Sequence, residues 1–435
     1  MKKVSFHTLG CKVNQYETEA MAELFTKSGY IIVNESEVAD VYVINTCTVT
    51  SLSDRKSRQF MRRSKSKNPD SVLAVVGCYS QVSPEEVASM EEVDIILGTS
   101  DRSKIVELCE EFKSKKSRIN LVRDIMEVKD FEEMGIEDTG GKTRAFLKIQ
   151  EGCNQYCSYC IIPYARGPIR SRDIDSIVSE VESLAKNGFK EVVLTGIHVA
   201  SYGKDLKSDI SLIDVLERVN GIEGIERIRL SSIEPNVATD EFLKRYSSLE
   251  KACNHFHLSL QSGDDAVLKR MNRKYNTEKY YEGVERIRSY LPDVSFTTDI
   301  IVGFPGETDE EYRNSYEFAN RVGFSRIHVF QYSPRKGTPA AEYKDQVAGP
   351  VKQERSKELI ELGKEMSKHF NQNHVGQILK VLFEEKSKDI MGYIEGYTTN
   401  YIRVKVPGEI SEYEGKIVGV KILSADEESV LGEIV

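Results

Sequence analysis

Short β-branched runs alternate with helical stretches along most of this 435-residue chain, and six of its eight cysteines fall just after such runs. In the first third, runs at Val4–Thr8, Val41–Asn45, Val72–Val76 and Ile95–Leu97 are separated by helical patterns such as Glu17–Ser28 and Ser53–Ser66. That alternation predicts an open parallel sheet with helices on its faces. Cys11, Cys47 and Cys78 each follow one of these strands by no more than three residues. The carboxyl ends of parallel strands share one edge of the sheet, so three cysteines about thirty residues apart converge there. The other set, Cys153, Cys157 and Cys160 in EGCNQYCSYCIIP, sits on one loop directly after a strand at Ala145–Gln150.

That strand opens a second series: Glu191–Thr195, Arg227–Ser231, His255–Leu260, Ser295–Val302 and Arg326–Phe330. Six strand–helix units predict a partial (β/α)6 barrel with its function at the carboxyl ends of the strands. A helical connector covers Val351–Phe370. Five short runs follow (Gln377–Glu384, Ile390–Tyr397, Tyr401–Val406, Lys416–Ile422, Val430–Ile434) and predict a small antiparallel barrel related to the OB-fold. The expected organisation is an α/β protein. It has an N-terminal domain over 1–113, a charged linker over 114–142 with Gly140-Gly141 near its end, a barrel domain over 143–370 and a C-terminal β-barrel over 371–435.

The Met1-Lys2-Lys3 start leads into a strand and not an apolar signal region, and no apolar run reaches membrane-spanning length. The expectation is a cytoplasmic protein without a membrane partner, in which grouped cysteines read as metal ligands and not disulfides. Net charge is −9, against indiscriminate coating of nucleic acid, but Asp54 to Lys67 holds seven basic residues and one acid. Arg166, Arg170 and Arg172 follow the tight cysteine set, and Lys269, Arg270, Arg273 and Lys274 form a third group. One such run reads as a solvated helix face, whereas basic groups near both cysteine sets point to a polyanionic substrate.

Three cysteines per set is the informative number. Structural zinc takes four ligands, and no fourth Cys or His lies near Cys153, Cys157 and Cys160; a redox pair of Cys157 and Cys160 would leave Cys153 unused. A four-iron cluster held by three thiolates keeps one iron open to bind a further group. The three-plus-two spacing resembles the signature of the radical adenosylmethionine superfamily. The resemblance implies that the open iron chelates adenosylmethionine, which is split to a radical able to abstract hydrogen from an unactivated C–H bond, the protein supplying binding, orientation and exclusion of water. It also implies cofactor contacts by Tyr159 before the last cysteine, Thr195 and Gly196 in LTGIHVASYG, Gln261 in LSLQSG, and Gly303 in TDIIVGFPGET.

With both cysteine sets, the domain order and the barrel tail together, the whole chain resembles the radical methylthiotransferases, including YSPRKGTPA at Tyr332–Ala340. That family carries a second 4Fe-4S cluster on the three N-terminal cysteines, so the resemblance implies two 4Fe-4S clusters, S-adenosyl-L-methionine, a reducing electron donor and a sulfur source. TLGCKVNQYETE and INTCTVT resemble the members that act on threonylcarbamoyladenosine in tRNA, beside the anticodon. The expected function is methylthiolation at C2 of that nucleoside, with the anticodon stem-loop as partner. Alternatives are methylthiolation of isopentenyladenosine tRNA or of a ribosomal protein and, in a different class, a non-catalytic metal-containing RNA-binding protein. The tail resembles the TRAM RNA-binding domain, yet carries seven basic and eleven acidic residues. Phosphate contact is therefore assigned to Arg55, Arg58, Arg62 and Arg63. In the tail, a face with Lys386, Lys388, Arg403, Lys405, Tyr393, Tyr397 and Tyr401 is expected to join them. Cys109 reads as a buried thiol, Cys253 is assigned no role, and His198, His255 and His257 read as packing or hydrogen-bonding residues.

Overall fold

A computed structural model describes residues 1–136 and 143–435. The N-terminal sheet holds β1 (Lys3–Thr8), β2 (Ile31–Val33), β3 (Val41–Thr46), β4 (Val72–Gly77), β5 (Ile95–Ile96) and β6 (Ile119–Asn120) in the order β2-β1-β3-β4-β5-β6. Every pairing is parallel. β3 (VYVINT) and β4 (VLAVVG) are buried along their whole length, as near-continuous apolar runs in a sheet covered on both faces must be.

The barrel domain contains β7 (Arg144–Glu151), β8 (Arg170–Ser171), β9 (Glu191–Gly196), β10 (Arg227–Leu230), β11 (His255–His257), β12 (Ser295–Val302) and β13 (Arg326–Gln331). β7, β9 and β10 pair in parallel, as do β11, β12 and β13. Isolated parallel bridges, Ile228↔Ala252 and Ile233↔Leu258, join the halves into an open six-stranded wall. β11 is shorter than the run His255–Leu260. Beyond it the ladder is interrupted: Leu260 N–H donates to the Thr298 hydroxyl, and pairing with β12 resumes only as a single bridge at Gln261, whose φ is 70°.

The tail forms a closed barrel of β14 (Ile378–Lys386), β15 (Tyr393–Tyr397), β16 (Arg403–Pro407), β17 (Ile417–Ala425) and β18 (Val430–Ile434), ordered β14-β15-β16-β18-β17. It is antiparallel except for the β16–β18 pair, which is parallel and closes the barrel.

The expected linker is not a free connector in its described part. β6 extends the N-terminal sheet, and Ile125, Met134 and Ile136 are buried. Its acids are used as ion-pair partners: Glu132 meets Arg102 at 3.0 Å and Glu133 meets Arg172 at 2.8 Å. A charged composition mimicked a solvated linker because the matching arginines are distant in sequence. Gly140-Gly141 lie outside the described residues.

One apolar cluster runs from Val4, Tyr16 and Phe25 of the first domain through Leu147, Val192 and Phe296 of the second. The helix Lys12–Lys27 lies between the first sheet and the barrel and packs on β7 as well as β1.

Candidate active site

The N-terminal cysteines stand at the carboxyl ends of β1, β3 and β4, three adjacent strands. Cys11 is the N-cap of the helix Lys12–Lys27, Cys47 follows β3 directly, and Cys78 begins a short helix after β4. Asn14 ties the first two loops together, its Nδ2 donating to the Leu9 carbonyl at 2.8 Å and the Thr46 carbonyl at 2.9 Å. A side chain at Gly10 would stand 3.2 Å from Cys47 Sγ, and one at Gly77 would stand 2.6 Å from the Thr46 carbonyl oxygen, at a φ of 100°. Both turns therefore hold glycine where the cysteine loops crowd together.

The tight set lies on the loop between β7 and β8. That two-residue strand was not expected; it pairs antiparallel with the end of β7 and folds the loop back. The loop is pinned from below by Ser158 N–H to the Met271 carbonyl at 3.0 Å and Asn272 Nδ2 to the Tyr156 carbonyl at 2.8 Å. A Cβ at Gly152, at a φ of 73°, would lie 1.9 Å from the Pro168 carbonyl oxygen, so the loop entry admits no side chain.

Each triad receives a guanidinium. Arg166 Nε donates to Cys78 Sγ at 3.2 Å, and Arg273 Nη1 donates to Cys157 Sγ at 3.3 Å. Arg166 belongs to the barrel domain yet bonds the N-terminal set, and it is completely buried. It also donates to Asn14 Oδ1 at 2.6 Å and Glu151 Oε1 at 3.0 Å, and pairs with Glu17. Arg102 meets the same Glu17, and Lys148 Nζ reaches Glu17 at 3.2 Å and Glu151 at 2.9 Å. Three cations and two carboxylates thus form a buried network across the domain boundary. Burial pushes the Glu17 carboxyl up, but Arg102, Arg166 and Lys148 outweigh it and hold it down at about 2. Arg335, from YSPRKGTPA, makes a second link by pairing with Asp54 and Thr48 beside Cys47.

Burial pushes the free thiols up: Cys78 and Cys160 to about 12, and Cys153 to about 11. Binding iron would replace those protons, as thiolate ligation does. All six cysteines are free. Among the described residues, the one group of three potential ligands with donor atoms all within 4.8 Å of one another is His257, Asp299 and His328. Neither cysteine triad is that compact, whereas a lone tetrahedral zinc with Zn–S of 2.3 Å sets its sulfurs about 3.8 Å apart. Three free thiols, wider spacing and one arginine at a sulfur of each set fit a cluster better than a single ion.

The residues assigned to the cofactor lie in the tight cysteine loop or at the carboxyl ends of the barrel strands. Tyr159 meets Phe304 edge-on at 6.4 Å. Thr195 and Gly196 end β9, with Gly196 packed against Gln150. Gln261 bridges to Ile300, and Gly303 N–H donates to Glu307 at 2.6 Å in the turn after β12. Sequence reasoning missed Glu234 as part of this site; it pairs with Arg273 at 2.8 Å and with His198 at 3.3 Å, and accepts from Gln155 at 3.1 Å. It missed Arg273 and Arg166 as sulfur-bonding groups too, although both stood in the basic clusters.

The sequence profile of the radical SAM superfamily matches residues 147–319, and that of an uncharacterized protein family, UPF0004, matches residues 3–98. The threonylcarbamoyladenosine tRNA methylthiotransferase MtaB of Bacillus subtilis is 45% identical over 98% of this chain and 94% of its own length. The chain belongs to the radical methylthiotransferase family. The Aquifex aeolicus MtaB is 41% identical over 97% of the chain and 100% of its own. A Clostridium botulinum tRNA-2-methylthio-N(6)-dimethylallyladenosine synthase is 38% identical over 98% and 95%. The radical S-adenosylmethionine methyltransferase TsrM of Kitasatospora setae superposes with a TM-score of 0.56 at 14% identity over 78% of this chain and 75% of its own, a likeness of fold alone. As a radical methylthiotransferase, the chain works with a 4Fe-4S cluster and adenosylmethionine.

The basic residues expected to meet RNA divide sharply. Arg55, Arg62 and Arg63 are exposed, Arg62 lying 3.8 Å from Glu92, while the half-buried Arg58 pairs with Glu86 at 2.8 Å. In the tail, Lys386 and Lys388 are exposed, whereas Arg403 and Lys405 are engaged within the barrel. Arg403 forks onto Glu395 at 2.8 Å, and Lys405, nearly buried, pairs with Asp389 at 2.9 Å. Tyr397 and Tyr401 stack at 5.0 Å and face the barrel domain, where Tyr401 covers Arg229 at 4.6 Å and His255 at 4.8 Å. The tail's acids neutralise its own cations, and its aromatics close the amino-terminal end of the (β/α) wall. No helix among the described residues is long and apolar enough to cross a membrane.

Proposed function

We propose that the protein methylthiolates threonylcarbamoyladenosine in tRNA, as the printed names of its Bacillus and Aquifex relatives state for those proteins. The observation that carries the reading is the pair of three-cysteine sets, one in each domain and each with an arginine donating to one sulfur. Cys153, Cys157 and Cys160 would hold the radical cluster, with Tyr159, Thr195, Gly196, Gln261 and Gly303 around adenosylmethionine. Cys11, Cys47 and Cys78 would hold a second 4Fe-4S cluster. Bound there, the cofactors supply hydrogen abstraction and the sulfur that is transferred; an external electron donor and sulfur source complete the turnover.

The chain's own residues bind, orient and exclude water. Asn14 and Arg166 fix the N-terminal cysteine loops against the barrel, and Glu234 orients Arg273 at Cys157. The exposed Arg55 and Arg63 offer phosphate contacts on the N-terminal domain. The test offers purified enzyme, adenosylmethionine and reductant with tRNA bearing either threonylcarbamoyladenosine or isopentenyladenosine. A site built to bond a polar group rejects an analogue lacking it, so product is expected on the first RNA alone. Preference for the second would overturn the substrate and leave the chemistry intact.

A further inference from the structure

The inner face of the open barrel carries a set of polar groups unused by either cysteine site. Side chains alternate along a strand, and Phe256, Phe296 and Ile300 lie in the core against the helices. His257 of β11, Thr297 and Asp299 of β12, and His328 of β13 therefore face the lumen. His257 Nδ1 bonds the Thr297 hydroxyl at 3.0 Å, which turns its Nε2 toward Asp299 at 3.3 Å. His328 is exposed and makes no hydrogen bond or ion pair among the described residues.

One further group enters this lumen from the other domain. Lys12, the residue after Cys11, places its ammonium 5.8 Å over the Phe146 ring of β7 and acts electrostatically on His255 and His328. Part of its surface reaches solvent, and among the described residues it makes no hydrogen bond or ion pair; burial holds its ammonium pKa down, with Arg144 and Arg229 repelling and Glu191 attracting it. A cation with no hydrogen-bonded or ion-paired partner calls for an anionic ligand group. The threonylcarbamoyl arm of the modified adenosine ends in one carboxylate, with a hydroxyl and ureido N–H groups beside it; an isopentenyl arm has none of these.

We propose that Lys12 is a specificity-determining residue that pairs with the carboxylate of the threonylcarbamoyl arm, while Asp299, braced by His257, accepts a hydrogen from the arm's hydroxyl or N–H. The proposal rests on the substrate reading above. Spacing alone would also let His257, Asp299 and His328 hold a divalent cation. Against that, Lys12 and Arg326 both act on His328 as positive charges and oppose a further cation there.

The test measures binding without turnover. The purified holoenzyme is titrated with synthetic anticodon stem-loops carrying the threonylcarbamoyl acid, its uncharged amide, or plain adenosine. Wild type should favour the acid over the amide by about tenfold, the scale of one charge-assisted contact. Lys12→Met should abolish that ratio with affinity for the plain stem-loop unchanged, and Lys12→Arg should keep most of it. An equal loss on all three RNAs, with the salt slope reduced by about one, would make Lys12 a phosphate contact and overturn the proposal. So would an unchanged acid-to-amide ratio in Lys12→Met, or stoichiometric zinc or ferrous-ion binding that Asp299→Asn removes. Failure of the substrate reading itself looks different: wild type would bind the three RNAs alike and methylthiolate none.

Discussion

Arg166 ties the barrel domain to the N-terminal cysteine set. It is buried, carries the bond to Cys78, and shares Glu17 and Glu151 with Arg102 and Lys148. Removing one member of such a network leaves charge uncompensated in a place water cannot reach. Arg166→Met is expected to lower stability by about 3–5 kcal/mol, read by chemical denaturation. Pairing it with Glu17→Gln should recover part of that loss, because the two residues are in contact and their effects are not additive. The pH dependence follows from the same carboxylate. Glu17 is depressed in the fold from 4.5 to about 2, so its stabilisation is present above pH 4.5 and lost as pH falls toward 2. The difference in melting temperature between wild type and Glu17→Gln should therefore shrink across that window, and a constant gap would show that Glu17 does not titrate as described.

At the scale of elements, the strand ends do the positioning. β4 ends at Gly77, whose φ of 100° lets the chain turn directly into Cys78. Gly77→Ala would require that backbone conformation and a Cβ 2.6 Å from both the Asn45 side chain and the Thr46 carbonyl. The expected cost is on the order of 2 kcal/mol, with loss of iron from the N-terminal set before the tight set. Iron analysis of the variant beside wild type checks it. In the loop between β7 and β8 the segment 156–158 is braced by residues 270–273 of the barrel, while Ala165 and Arg166 further along bond the first domain.

Across the whole molecule, the two cysteine sites stand at the ends of different sheets and are joined by charged contacts through Arg166 and Arg335. Wild type should carry about eight irons in two four-iron clusters. Cys47→Ala should keep about four irons and still cleave adenosylmethionine, yet give no methylthiolated product. Cys157→Ala should lose cleavage altogether. Loss of both clusters from a folded Cys47→Ala protein, seen by iron and sulfide analysis with circular dichroism, would contradict two independent sites.

The strand–helix alternation, the positions of the six cysteines after strands, and the barrel tail were legible in the chain because each is a local signal: periodicity, turn residues and spacing. Convergence of Cys11, Cys47 and Cys78 was legible as well, since parallel topology puts strand ends on one edge. Partners far apart in sequence were not. Nothing local says that Arg166 crosses to Cys78, or that Glu132 and Glu133 of a charged stretch answer buried arginines. Nor does it say that Lys405 and Tyr401 turn inward to Asp389 and Arg229 instead of outward to RNA. Residue types and spacing thus determined the strands, the helices and the two sulfur sets. Which charges neutralise one another, and which faces remain open to a ligand, was decided by tertiary packing, because burial makes every charge find its partner in space and not along the chain.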